Sequence, residues 1–328
     1  MQVTHTLSNN RKILDALDEA ITKSVEDELA RCSLNVQELR PIIKVAINHA
    51  KDLVRDDQLS MPIPMLIPTV SYPAYNYVMA VASQHQKFDK ARDRIISYGS
   101  VFLVGAGLSF ESEIPLTRVL NDLLPFCGVK DYEELRKNSE ACCDFKTQFK
   151  RVCDEKSPGD SHDLIALNFP RYIKEIICLN WDNLIERSAI KLSRTISKVN
   201  EDFEVNSISF LWKFHGDIEN IKKKAKKGEG EWVFPDEEGF VFKNFEKYIK
   251  NNELTSTMFA FVILGYSEGE KEIYMKIIKQ FEEKRPRPTF RVGLDLERLG
   301  HENYLVGPSS FVLKKILPIK KVQVTQSS

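Results

Sequence analysis

Apolar residues recur every three or four positions through the first hundred residues and then bunch into short unbroken runs. Ile13, Leu14, Leu17, Ile21, Val25 and Leu29 share one helical face, and Ser8 or Asn9 can cap that helix. A second helix is expected from near Pro41, carrying Ile42, Ile43, Val45, Ile47, Leu53 and Val54. The next segment, SMPIPMLIPTVSYP, holds four prolines. Each proline lacks an amide hydrogen and fixes φ, so no regular helix is expected there. Another helix is expected from about Ala74 to Ser97. These stripes should cover the core or a partner subunit.

From Ser100 the texture changes. VFLVGAG, EIICLN, SFLWKFHG, FAFVILGYS and TFRVGLD read as buried strands, with helical or irregular segments between them. Strands alternating with helices predict an α/β fold, a Rossmann-like parallel sheet with helices on both faces. Residues 1–97 are then a helical assembly region, and residues 98–328 form the sheet domain. In such sheets ligands bind at the carboxyl ends of the strands. Here the runs end in Gly105, Asn180, His215, Gly265 and Asp295, which brings small and polar groups to one edge.

Composition narrows the setting. Lysine plus arginine equal aspartate plus glutamate at 47 each, so no global field favours nucleic acid or an acidic membrane. With no long apolar run and a polar start, a cytoplasmic protein without a membrane span is expected. Six cysteines lie scattered without a CxxC pair, which suggests reduced thiols and argues against a structural zinc site. The lysine-rich KKKAKKGEGE reads as an exposed loop, and its contact with nucleic acid is left open.

Each strand-end motif has a bland reading beside a chemical one. Gly105 to Ser109, GAGLS, lets backbone approach a phosphate at a following helix start, though any tight strand-to-helix turn favours small residues. The third glycine of the dinucleotide fingerprint is missing, as is the acidic residue expected after a second strand, which excludes an ordinary dehydrogenase. In LNWDN, Asn180 offers a donor and an acceptor and Asp182 an acceptor. The pair can hold a carboxamide and a ribose hydroxyl or orient water; it can equally form an Asx turn or cap a helix starting near Asn183. KFHGD places His215 where its ordinary pKa of about 6.5 suits proton transfer. His162 opens an apolar helix and reads as structural. LGYS adds a further glycine turn.

In chain order GAGLSFESEIPLTR, LNWDN, FHGD and LGYS resemble the sirtuin family over the central and C-terminal two-thirds of the chain. The resemblance implies that Gly105, Ala106, Gly107 and Ser109 bind the NAD pyrophosphate. It puts Ile114, Pro115 and Arg118 near nicotinamide and phosphates. Asn180 and Asp182 would hold ribose, water and the nicotinamide amide, His215 would act as base, and Gly265, Tyr266 and Ser267 would contact the adenosine ribose. Three departures stand out: the zinc cysteines are absent, Glu113 replaces a glycine, and Thr117 replaces a phenylalanine that shields the reacting ribose. The pattern is closer to zinc-free sirtuin-like domains of bacterial antiphage defence. It implies an NAD+ glycohydrolase working as a homo-oligomer or with a DNA-translocase ATPase or Argonaute-like partner. A non-catalytic NAD or ADP-ribose-binding subunit is the alternative; protein deacylation fits poorly without the zinc module.

Overall fold

The computed structural model describes residues 13–55, 58–112, 114, 120–121, 123–199, 210–219, 232, 234, 259–266, 279 and 288–318. The Ser8 or Asn9 cap and the lysine-rich segment lie outside them. Before the first strand lie the helices α1 (Asp18–Arg31), α2 (Val36–Asp52), α3 (Ile63–Ala82) and α4 (His85–Tyr98). The face expected from the apolar spacing of α1 is buried, with Ile21, Val25 and Leu29 turned inward.

Three expectations for this region are corrected. Helix α2 starts well before Pro41, because the Asn35 side chain accepts the Glu38 amide hydrogen and caps it there. The proline-rich segment is helical: Pro64 sits in the first turn of α3, and Pro68 and Pro73 lie inside it. Each interior proline costs about 3 kcal/mol of helix stability. That cost is offset by packing, since Leu66, Val70, Ala74, Tyr77, Val78 and Val81 are all buried against the other helices. The helix expected from Ala74 to Ser97 is two, broken at Ser83 and Gln84. Gln84 explains the break. It is buried, donates through Nε2 to the Val306 carbonyl and accepts the Val306 amide through Oε1, both at 2.9 Å. The side chain thereby covers the edge of a strand that would otherwise be open.

The sheet is parallel and seven-stranded, in the order β3-β4-β2-β1-β5-β6-β7. The strands are β1 (Ser100–Val104), β2 (Ile173–Cys178), β3 (Lys198–Val199), β4 (Phe210–Lys213), β5 (Ala260–Leu264), β6 (Thr289–Gly293) and β7 (Tyr304–Val306). All five expected strands are present; β3 and β7 add to them. Every residue of β1, β4 and β5 is buried, as expected for a Rossmann-like sheet covered on both faces.

Between the strands run α5 (Tyr132–Lys137), α6 (Ser139–Asp154), α7 (Asp160–Asn168) and α8 (Leu184–Lys191), and α9 (Ser309–Ile316) closes the described chain. Sheet residues and the N-terminal helices share one apolar core, with Phe88 of α4 edge-on to Phe311 of α9. A second core stands apart. Phe145 and Phe149 of α6 meet Trp181, Trp232 and Phe234 just beyond the strand ends, and the Trp181 and Trp232 rings are 4.5 Å apart.

Candidate functional site

The chain runs from β1 outward to β2 and β4, then returns to β5 on the other side of β1. The carboxyl end of β1 is therefore the topological switch point, where sheets of this kind open a crevice. Residues after four adjacent strands meet there: Gly105–Ser109 after β1, Asn180 and Asp182 after β2, His215 after β4, and Gly265 and Tyr266 after β5. Pro115, Arg118 and Ser267 lie outside the described residues, as do Glu113 and Thr117.

Ser109 is the hub. Its hydroxyl accepts from Asn180 Nδ2 at 2.9 Å and donates to Asp182 Oδ2 at 2.7 Å. The second Asn180 amide hydrogen goes to the Gly105 carbonyl at 3.2 Å. With both hydrogens committed, Asn180 has its Oδ1 left as an acceptor. Asp182 Oδ1 accepts the Leu184 amide at 3.1 Å, an Asx turn at the start of α8. The Asx-turn reading of Asp182 is thus seen directly, with one oxygen holding the turn into α8 and the other accepting from Ser109.

Alternation explains this local fold. Asn180 and Asp182 face the GAGLS loop, while Trp181 between them turns the other way into the aromatic core. Its Nε1 donates to the His215 carbonyl at 2.9 Å. Apolar packing of one side chain therefore sets two polar ones and ties them to the histidine segment. Trp232 reinforces the same end, bridging Gly216 through its backbone and donating from Nε1 to the Asp217 carbonyl at 2.9 Å.

The glycines admit a crossing of two loops. A Cβ on Gly105 would stand 2.6 Å from the Gly265 carbonyl oxygen, and one on Gly107 would stand 2.7 Å from Gly265 Cα. Gly265 itself has φ +60°, and a Cβ there would lie 2.5 Å from the Leu108 nitrogen. The Gly105 and Gly107 amides donate to Leu264 and Gly265 carbonyls at 2.8 and 2.9 Å. The expected α-helix start after GAGLS is replaced by a short 3-10 turn, Ser109–Ser112.

Burial pushes His215 down to about 4, although its ring donates to the Leu179 carbonyl, which works the other way. It is neutral near pH 7 and presents a weakly basic nitrogen. His162, read as structural, is fully buried in α7; its Nδ1 accepts the Gly159 amide at 3.2 Å and its Nε2 has no hydrogen-bond partner. Sequence reasoning gave no role to Lys213 or Glu186. Lys213 Nζ donates to the Asp182 main-chain carbonyl and lies 3.8 Å from Glu186 Oε1. Nothing local marks that pair, since its members come from β4 and α8.

Among the described residues no group of three or more His, Cys, Asp or Glu side chains is arranged to hold a metal ion. Nor is any described helix long and apolar enough to cross a membrane. All six cysteines are free thiols; Cys142, Cys153 and Cys178 are buried.

No protein-family model matches the chain, and no curated protein matches it. Solved structures of Sir2 enzymes do. One, concerned with the mechanism and regulation of Sir2 enzymes, is 18% identical with a TM-score of 0.48, covering 70% of this chain and 95% of that one. A Sir2 homologue in complex with NAD is 17% identical with a TM-score of 0.44, covering 70% and 91%. A mutant Sir2 homologue with ADP-ribose is also 17% identical with a TM-score of 0.44, covering 70% and 94%. With these TM-scores below one half, the similarity carries no argument about chemistry, which rests on the residues themselves.

Proposed function

We propose that this chain is an NAD+ glycohydrolase, cleaving the bond between nicotinamide and ribose to give nicotinamide and ADP-ribose. The observation that carries the reading is the Asn180–Ser109–Asp182 hydrogen-bond chain at the switch point, with His215 following the next strand. Those groups suit a ribose flanked by a carboxamide and water. In hydrolysis the C–N glycosidic bond breaks through an oxocarbenium-like state, and a water oxygen bonds to the anomeric carbon. Asn180 Oδ1 accepts from that water or from a ribose hydroxyl. The free lone pairs of Asp182 accept from the nicotinamide amide, and neutral His215 accepts the proton that is released.

The Gly105–Gly107 loop, Ser109 and the Gly265–Tyr266 turn, together with Pro115, Arg118 and Ser267, are the proposed contacts to phosphates and adenosine ribose. On the family resemblance the activity belongs to antiphage defence, depleting cytoplasmic NAD only when switched on. Gating by self-assembly or by an ATPase or Argonaute-like partner through residues 1–97 fits with Leu53, Met61, Ile63, Met65 and Tyr72, large apolar side chains exposed on the helical layer.

One observation favours the alternative of a non-catalytic sensor: a histidine near 4 is a weak base. The test is to purify the protein with and without its genomic neighbour and follow NAD and nicotinamide over time. Asn180→Ala and His215→Ala should each abolish release while the thermal transition stays in place. Undiminished release from a folded double variant removes the assignment, and NAD binding without turnover selects the sensor.

A further inference from the structure

Lys213, the last residue of β4, precedes His215 by two positions and is 3% exposed. Around its ammonium lie Glu186 of α8, with Oε1 at 3.8 Å, and Cys178 of β2, with Sγ at 3.9 Å. Asp182 and Asp217 complete the charged surroundings; Asp217 is itself paired with Lys198 of β3. His162 of α7 faces the same cluster. Burial works against the Lys213 charge, and Cys178, Glu186, Asp182 and Asp217 outweigh it, so the amine's pKa lies above its ordinary value. Burial likewise raises Glu186, with Lys213 opposing the rise.

A buried lysine beside a half-buried glutamate invites the reading of a plain ion pair. The geometry points elsewhere. At 3.8 Å the Glu186 oxygen is beyond hydrogen-bond reach and has no hydrogen bond, whereas the Asp182 main-chain carbonyl takes the amine's hydrogen directly. That carbonyl belongs to the turn that carries Asn180 and Asp182, and the amine belongs to the strand that leads into His215. This hydrogen bond joins the two strand ends on which the candidate chemistry sits, beside those from Trp181 Nε1 to the His215 carbonyl and from the Ile218 amide to the Trp181 carbonyl.

We infer that Lys213 is a positioning residue: its hydrogen bond to the Asp182 carbonyl fixes the Asn180–Asp182 turn relative to His215. Its charge serves a second purpose, offsetting the carboxylates of Glu186, Asp182 and Asp217 around it. The kinetic part of the inference rests on the glycohydrolase reading; the structural part does not.

The experiment uses the full chain with its activating partner and three variants: Lys213→Met, Glu186→Gln and the double variant. Glu186→Gln removes the nearest carboxylate, so the double variant should recover part of the thermal midpoint that Lys213→Met loses. Its nicotinamide release should stay about a hundred-fold down with KM within about two-fold, the pattern of lost geometry. Amides in a peptide spanning residues 179–184 should exchange about ten-fold faster than in the wild type, while a β1 peptide is unchanged. Recovery of release and protection together with stability overturns the inference and leaves Lys213 as a counterion. Should the Met variants fail to fold, Lys213→Gln in the Glu186→Gln background supplies a neutral donor. It should regain protection of residues 179–184, and failure to do so in a folded protein overturns the inference. If the wild type releases no nicotinamide, the glycohydrolase reading fails alone, and amide exchange still decides the role of Lys213.

Discussion

Ile21, Val25 and Ile42 in the helical layer and Asn180, Asp182 and Lys213 at the strand ends are all buried, but their surroundings are opposites. The first set touches other apolar side chains, whose attraction is non-directional and tolerates small shifts. The second set is held by directional hydrogen bonds to particular groups, and a displaced side chain leaves those partners unsatisfied. The apolar core that the helices share with the sheet is thus a forgiving body, and the strand ends are an exacting rim.

Substitutions should separate the two. The largest effect is expected for Lys213→Met, which leaves Glu186 and its neighbours uncompensated; urea denaturation should show a loss of about 3–5 kcal/mol. Gly265→Ala comes next. A left-handed position costs a non-glycine residue about 1–3 kcal/mol, and the overlap with Leu108 adds to it, so a clear fall in melting temperature is expected.

His215 tests the rim through pH. Its folded value is about 4 against about 6.5 for an unperturbed histidine. Between those values the unfolded chain holds the proton and the folded chain does not. Acidification from about pH 6.5 to about 4 should therefore destabilise the protein, and above pH 6.5 the contribution should be flat. His215→Gln should flatten that slope in melting curves. By the same logic, nicotinamide release should persist well below pH 6 and fall only near 4. Smallest of all is Ile176→Val in β2, expected to cost about 0.5–1.5 kcal/mol with turnover unchanged. A loss of turnover there comparable to that of a rim variant would erase the distinction between body and rim.

The body was legible in the chain. Unbroken apolar runs marked β1, β2, β4, β5 and β6, because a strand buried on both faces needs no alternation. Pro68 and Pro73 misled for a physical reason: local propensity argues against helix, and the decisive packing of α3 on α1 and α2 is not local. Strand β7 is only three residues long, too short for periodicity to register. The rim was legible only in part. Asn180, Ser109, Asp182 and His215 stood at strand ends that topology brings together. What each hydrogen bonds to was not readable, since Ser109 and Asp182 are far apart in sequence, as are Lys213 and Glu186. Trp181 carries a further signal: a large aromatic between two polar residues at a strand end has to be buried somewhere.

The crossing of Gly105 and Gly107 over Gly265 also bears on how the chain acquires its shape. The loop after β1 is made early, but the backbone it crosses is the turn that leaves β5, which follows β2 and β4 in the chain. Contacts so distant in sequence form late, after their loop-closure entropy has been met. A growing chain would hold Ser109 and Asn180 long before the turn that orders them is locked. A chain cut short before β5 lacks the strand that pairs with β1 and the turn that locks the loop, so it should have no competent site.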